Sequence, residues 1–204
     1  MAFFQYGIVC VLAYLLGSVS MSIIITKYIY KDDVRDHGSG NAGATNVART
    51  YGWFPGIITF VCDFCKCAAS MAIGRHFGGE WGFALAGIFC LIGHCFPVFF
   101  GFRGGKAVST GACVAFLVDP RLFLIMAVNF FAVAFTTKYV SLSSLCAAAA
   151  FIAGAFLMPF SVAVRILAVF TGILVIFMHR SNIRRLLSGT ESRFHPGSRK
   201  KNGS

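Results

Sequence analysis

The sequence predicts an all-α, polytopic integral membrane protein with about seven transmembrane helices, two of them short. The first observation behind this is compositional: of 204 residues, 57% are hydrophobic and only 12% are charged. Soluble domains carry about 25% charged residues, and the mean hydropathy here is +0.77. The second is a series of apolar runs close to the roughly 20 residues a spanning helix needs. The third is the placement of Lys and Arg, which crowd into alternate loops as the positive-inside rule expects.

Phe3 to Thr26 is the first span. No basic stretch precedes it, as one would precede a signal peptide. Lys27, Lys31 and Arg35 follow closely, so the N-terminus is expected outside and the next loop in the cytoplasm. Gly56 to Ile73 is the second span and carries Asp63 and Lys66 on one helix face. Intramembrane charges face the bundle interior, which leaves a structural ion pair and a substrate role as alternatives. Cys62-Asp63-Phe64-Cys65 has C-x-x-C spacing but no second ligand pair to complete a metal site. Arg75, His76 and Glu80 read as a short outside loop, and Gly82 to Phe100 as the third span.

Val108–Val118 and Leu122–Thr137 are shorter and turn at Asp119-Pro120-Arg121. They are either tilted spans or a re-entrant hairpin. Lys138 to Ser144 is expected as an inside turn. Leu145–Leu157 and Ser161–Met178 complete the seven, joined outside at Met158-Pro159, with Arg165 snorkelling near that turn. Residues 1–191 form one membrane-embedded domain, and 192–204 read as a disordered basic cytoplasmic tail.

This topology gathers the charge. Of the 18 Lys and Arg residues, all but Lys66, Arg75, Arg121 and Arg165 fall on the proposed cytoplasmic side. A net charge of +11 without a basic soluble module interleaved with aromatics argues against nucleic acid as a partner. It suits membrane lipids and anionic substrates. The eight cysteines lie mostly inside apolar runs and make no disulfide framework.

Three cytoplasmic segments carry the chemistry. Gly38-Ser39-Gly40-Asn41-Ala42-Gly43-Ala44-Thr45-Asn46-Val47-Ala48-Arg49 has glycines that let backbone N–H groups crowd an anion, with hydroxyl, amide and guanidinium donors. Asn41, Thr45 and Arg49 step by four, which stacks them along a helix running from about Ala42. Gly104-Gly105-Lys106 sets an ammonium beside open backbone, one short connection after His94 and Pro97. It lacks the spacing of a P-loop. His179 and Asn182 share a helix face, followed by Arg184 and Arg185, which suit lipid headgroups.

Other devices are missing. No His is followed five residues later by Asp, no G-x-S-x-G elbow occurs, and no paired acidic motif offers a metal site. Only seven residues are acidic. No metal or cofactor is expected. A cation-rich, carboxylate-poor site suits an anionic substrate with an activated leaving group.

Taken together, Ser39–Arg49, Gly93-His94-Cys95-Phe96-Pro97 through Lys106, and His179–Glu191 resemble the three signatures of the bacterial acyl-phosphate glycerol-3-phosphate acyltransferase family, the PlsY type. The Tyr139–Ser144 turn is similar too. Two departures are Ala107 and Cys67, each where that family usually has glycine. The resemblance implies acyl transfer from acyl phosphate to the sn-1 hydroxyl of glycerol 3-phosphate at the bacterial inner membrane. The products are lysophosphatidic acid and inorganic phosphate.

It also implies roles. Ser39 and the backbone of Gly40 to Gly43 would hold the acyl phosphate, and Arg49, Lys106 and Ser144 would hold glycerol 3-phosphate. Asn41, Thr45, Asn46, Gly104, Gly105 and Ser141 would complete the substrate-binding set. His179 and Asn182 would orient the reacting groups or stabilise the oxyanion, and the acyl tail would lie between helices. The base is the acyl phosphate itself, His94 or His179. The enzyme that makes acyl phosphate is a natural partner. The rival from another class is a transporter or exchanger of organic phosphates, which the cationic loops and the intramembrane Asp63–Lys66 pair would suit; a transporter needs ligand groups near the bilayer midplane, whereas here the polar groups gather at one face.

Overall fold

The computed structural model describes residues 2–194, and these are helical with no strand among them. The first apolar stretch is two helices, α1 (Ala2–Ser18) and α2 (Met21–Ile29), interrupted at Val19 and Ser20. Ser20 is extended there (φ −94°, ψ 98°). The break frees the Val19 carbonyl, which accepts a hydrogen bond from Lys66 Nζ at 2.7 Å.

A short amphipathic helix, α3 (Ala44–Tyr51), precedes α4 (Trp53–Cys95). α4 is continuous in hydrogen bonding but reverses at Gly79 (φ 58°, ψ −141°). Lys66 Nζ and His94 Nδ1 are 3.2 Å apart across 28 residues. A straight helix would separate them by about 42 Å. The expected loop over Arg75, His76 and Glu80 is therefore not a loop. These residues stay helical, and Gly79 alone turns the chain, in a conformation that glycine adopts without a Cβ clash. Gly74 and Gly82 face each other across the turn, where a Cβ on either would strike the other's carbonyl.

α5 (Val108–Val118) and α6 (Pro120–Thr137) follow, with Asp119 capping α6 through the N–H groups of Arg121 and Leu122. α7 (Val140–Leu157) starts earlier than the serine-rich sequence suggests, so Ser141, Ser143 and Ser144 are helical rather than in a turn. α8 (Val162–Met178) and α9 (Arg180–Leu187) are bent by 55° about His179. Among the described residues, four stretches are long and apolar enough to cross a membrane, or five if the bent pair counts as one, and one of them is the reversed α4.

The core joins α4, α5, α7 and α8 through Cys67, Leu91, Cys113, Ala115, Phe151 and Leu167. α6 packs mainly on α7 and leaves Leu124, Ile125, Val128 and Phe135 exposed, as a lipid-facing helix would. Within the expected tail, residues 192–194 are described and make contacts. Arg193 lies over the Tyr139 ring, and the Phe194 N–H donates to the Lys138 carbonyl at 2.9 Å. The rest of that tail, 195–204, lies outside the described residues.

Candidate active site

The glycine-rich loop is held by one residue. Asn46 is buried, its Oδ1 accepts from the Ser39 N–H, and its Nδ2 donates to the carbonyls of Val34, His37 and Asn41. Gly38 (φ 59°) lies so close that a Cβ there would strike Asn46 Oδ1. Asn46 thus builds the loop, with its Nδ2 protons shared among three backbone carbonyls.

The Gly40 and Gly43 amides are also spent, on the carbonyls of His37 and Asn41. The helix begins at Ala44, not Ala42. Among the described residues, the backbone donors left for an anion are those of Asn41 and Ala42 in the loop and of Ala44 and Thr45 in the helix's first turn. Asn41, Thr45 and Arg49 are each half-buried along the accessible side. Among the described residues, the side chains of Ser39, Asn41 and Thr45 make no hydrogen bond within the protein. Arg35 ties this loop to the next, pairing with Asp33 and donating to the Phe100 carbonyl at 2.8 Å.

In the second segment, the Gly104 and Gly105 amides donate to the carbonyls of Cys95 and His94. The loop folds back over the end of α4, and a Cβ on Gly105 would collide with His94 Nε2. The two glycines serve close packing, so the expected open backbone is absent. His94 is buried beneath them, 3.6 Å from Asp63 and 3.2 Å from Lys66. It therefore packs against the Asp63–Lys66 pair instead of lining the open site. Asp63 and Lys66 pair at 2.8 Å and brace the α1–α2 break. These contacts are those of a structural ion pair. Ala107 takes a left-handed conformation (φ 59°), a region that glycine adopts more readily than alanine. Cys67, fully buried, donates its thiol to the Thr110 carbonyl at 3.6 Å and so joins α4 to α5.

Four segments meet at one polar centre. Lys106 Nζ donates to Asn182 Oδ1, and Asn182 Nδ2 donates to Glu191 Oε1 at 2.6 Å. The Ser141 hydroxyl donates to the same Glu191 oxygen at 2.6 Å, and Arg185 Nε donates to Oε2 at 2.7 Å. Arg49 has Glu191 and Arg185 as charged neighbours. Sequence reasoning did not single out Glu191. Its signal was being one of only seven acidic residues, set among cations. Burial alone would raise its carboxyl pKa, but Ser141, Asn182 and Arg185 outweigh that and hold it below the ordinary value. Burial, and next the charge of Arg185, pushes the Lys106 ammonium down to about 8. Ser141 thus belongs to the Glu191 bracket.

His179 stands at the α8–α9 bend, buried, with Nδ1 2.7 Å from the Val175 carbonyl. A carbonyl only accepts, so Nδ1 carries the proton and Nε2 is left as an acceptor. Ser144 Oγ donates to the Val140 carbonyl of its own helix. It borders an apolar cleft of about 160 Å³ between α5, α6, α7 and α8 that begins at Ala107 and Val108, directly after Lys106. Gly111, Met126, Phe130 and Phe151 line it further in. Among the described residues, no three His, Cys, Asp or Glu side chains gather as a metal site.

A cationic, hydrogen-bonded centre at the end of an apolar cleft within a helical membrane bundle defines a protein that handles an amphiphile with an anionic head. The chain belongs to the glycerol-3-phosphate acyltransferase family, whose model matches residues 7–189. It is 41% identical over 188 residues to the glycerol-3-phosphate acyltransferase of Finegoldia magna, covering 92% of this chain and 93% of that one. The enzyme of the same name from Thermoanaerobacter pseudethanolicus is 42% identical over 183 residues, covering 90% of this chain and 92% of the other. Among solved structures, the glycerol 3-phosphate form of PlsY, an integral membrane glycerol 3-phosphate acyltransferase, superposes with a TM-score of 0.88 at 38% identity, covering 93% of this chain and 96% of that one. Its lysophosphatidic acid form gives 0.85 at 37%, covering 93% and 95%.

Proposed function

We propose that this protein transfers a fatty acyl group from acyl phosphate to the sn-1 hydroxyl of glycerol 3-phosphate, releasing lysophosphatidic acid and inorganic phosphate. The observation that carries this is the junction at Lys106 and Ala107, where the polar centre meets the apolar cleft within one residue. An acyl chain in the cleft would bring its carbonyl to the cations. The relatives' names and the two ligand forms of PlsY support the same substrate and product.

Arg49 and Lys106 neutralise the glycerol 3-phosphate headgroup, while Ser39 and the first turn of α3 take the acyl phosphate. Asn182, held by Lys106 and Glu191, orients the reacting groups beside His179. The glycerol hydroxyl oxygen attacks the acyl carbonyl, the carbonyl–phosphate bond breaks, and the phosphate leaves with the hydroxyl proton. The base is the departing phosphate or Nε2 of His179. No acyl-enzyme is needed, since acyl phosphate is a mixed anhydride whose phosphate leaves without a covalent enzyme nucleophile. The site faces the cytoplasm and the N-terminus lies outside, as the basic loops direct in an inner-membrane protein. Acyl phosphate hydrolyses readily in water, so its producing enzyme is the natural partner.

The test is purified protein given palmitoyl phosphate and glycerol 3-phosphate. Equal amounts of lysophosphatidic acid and phosphate are expected, with no product from palmitoyl-CoA. Uptake of glycerol 3-phosphate into vesicles without product would overturn the proposal.

A further inference from the structure

The Arg49 guanidinium is the cation of the centre without a hydrogen-bonding anchor at Nε. That nitrogen is buried and has no partner among the described residues. Its flat face is covered instead, with Cζ 5.8 Å from the centroid of the Phe194 ring. The same ring meets Trp53 edge-on at 5.4 Å and 72°. Trp53 starts α4 four residues after Arg49, so one aromatic ring bridges the end of α3 and the beginning of α4. The Phe194 backbone is itself fixed, donating to the Lys138 carbonyl between α6 and α7 at 2.9 Å. Arg193 repeats this attachment over the Tyr139 ring at 5.9 Å. Two regions far apart in sequence, Arg49 to Trp53 and Lys138, therefore place this ring, and the charged side chain it touches is one the proposed reaction needs. Phe194 also lies beyond the stretch shared with the family.

We infer that Phe194 is a positioning residue for Arg49: its ring holds the guanidinium by a cation–π contact so that the N–H fork points at the phosphate of glycerol 3-phosphate. This rests on the proposed role of Arg49. An arginine on a long stem loses rotamer freedom when it binds a phosphate. A ring that has already ordered it removes that cost from the binding step. A cation–π contact of about 0.5 to 2 kcal/mol corresponds to a KM change of about two- to thirtyfold.

The experiment is steady-state kinetics of the full chain with palmitoyl phosphate and glycerol 3-phosphate. Phe194→Ala is expected to raise KM for glycerol 3-phosphate by about three- to tenfold, leaving kcat and KM for palmitoyl phosphate within about twofold. Phe194→Tyr keeps a ring and restores the wild-type KM. Phe194→Leu fills the space against Trp53 without a quadrupole and behaves like the alanine variant. In an Arg49→Ala background, Phe194→Ala adds nothing further. Three results overturn the inference: rescue by leucine, a lower KM in Phe194→Ala, or a parallel loss of kcat and both KM values. If Arg49→Ala itself leaves KM for glycerol 3-phosphate unchanged, the proposed role of Arg49 fails first. A raised KM in Arg49→Ala with none in Phe194→Ala refutes only the positioning role.

Discussion

Lys106 and Asn182, 76 residues apart, are joined by a hydrogen bond from the ammonium to Oδ1. This contact brings the second and third cytoplasmic segments together. It also orients Asn182, since its other side, Nδ2, is held by Glu191.

Burial of that ammonium makes the activity pH-dependent. Lys106 is pushed from 10.5 to about 8, so it loses its charge in the folded protein just above neutral pH. Phosphate binding needs the charged form, and kcat/KM for glycerol 3-phosphate should fall as pH rises through about 8. Lys106→Arg keeps its charge, and the alkaline limb should move above the accessible range. The stability effect has the opposite sense. Between about 8 and 10.5 the unfolded chain holds the proton more tightly, so Lys106's contribution to stability improves with rising pH. A pH–rate profile of the two proteins checks this.

Gly105 and His94 form a steric pair. Gly105→Ala drives its Cβ into His94 Nε2. Overpacking of this kind costs about 1–3 kcal/mol and displaces Lys106. Activity should drop at least about tenfold, and His94→Ala should recover part of the loss by opening the space. No recovery in the double variant would show that the collision is not what restricts this position.

Glu191 binds three donors from α7, α9 and their neighbours. Glu191→Ala leaves Arg185, Asn182 and Ser141 without their shared acceptor. The Arg185 side chain is 38% exposed, which reduces the loss through water. A cost of about 2 kcal/mol is expected, seen as a fall of roughly 4–8 °C in Tm. Glu191→Gln, which keeps an acceptor oxygen, should lose less.

The apolar cleft should govern acyl length. A Cβ at Gly111 meets Thr171 Cγ2 at 3.4 Å and Val175 Cγ2 at 3.8 Å, both ordinary contacts with side chains that line the cleft, so a larger side chain there grows into it. Gly111→Leu should reduce kcat/KM for palmitoyl phosphate by about tenfold or more, as expected for about 1–3 kcal/mol of lost apolar fit. Butyryl phosphate should be affected far less. Competition between the two acyl phosphates provides the readout.

Much of the helical framework was legible because apolar length is a local property. The turn at Asp119-Pro120 and the α8 boundaries match the sequence within a residue or two. Where hydroxyls were read as turn-formers the sequence misled. Ser143 and Ser144 return their hydroxyls to carbonyls four residues back and so remain helical in an apolar setting. Arg75 and His76 looked like a loop because they are polar, yet one glycine is enough to reverse the chain.

By itself the sequence determined the membrane-embedded helical class, the clustering of cations, and the donor types that suit phosphate. Each follows from composition or short-range spacing. Only the tertiary structure decided how the donors are used. It turned Asn46, Gly104 and Gly105 inward as scaffold, placed His94 under a glycine, and brought Glu191 to Asn182 and Ser141. A hydrogen bond satisfied within the fold is unavailable to a ligand, and which donors are satisfied depends on contacts between segments far apart in the chain.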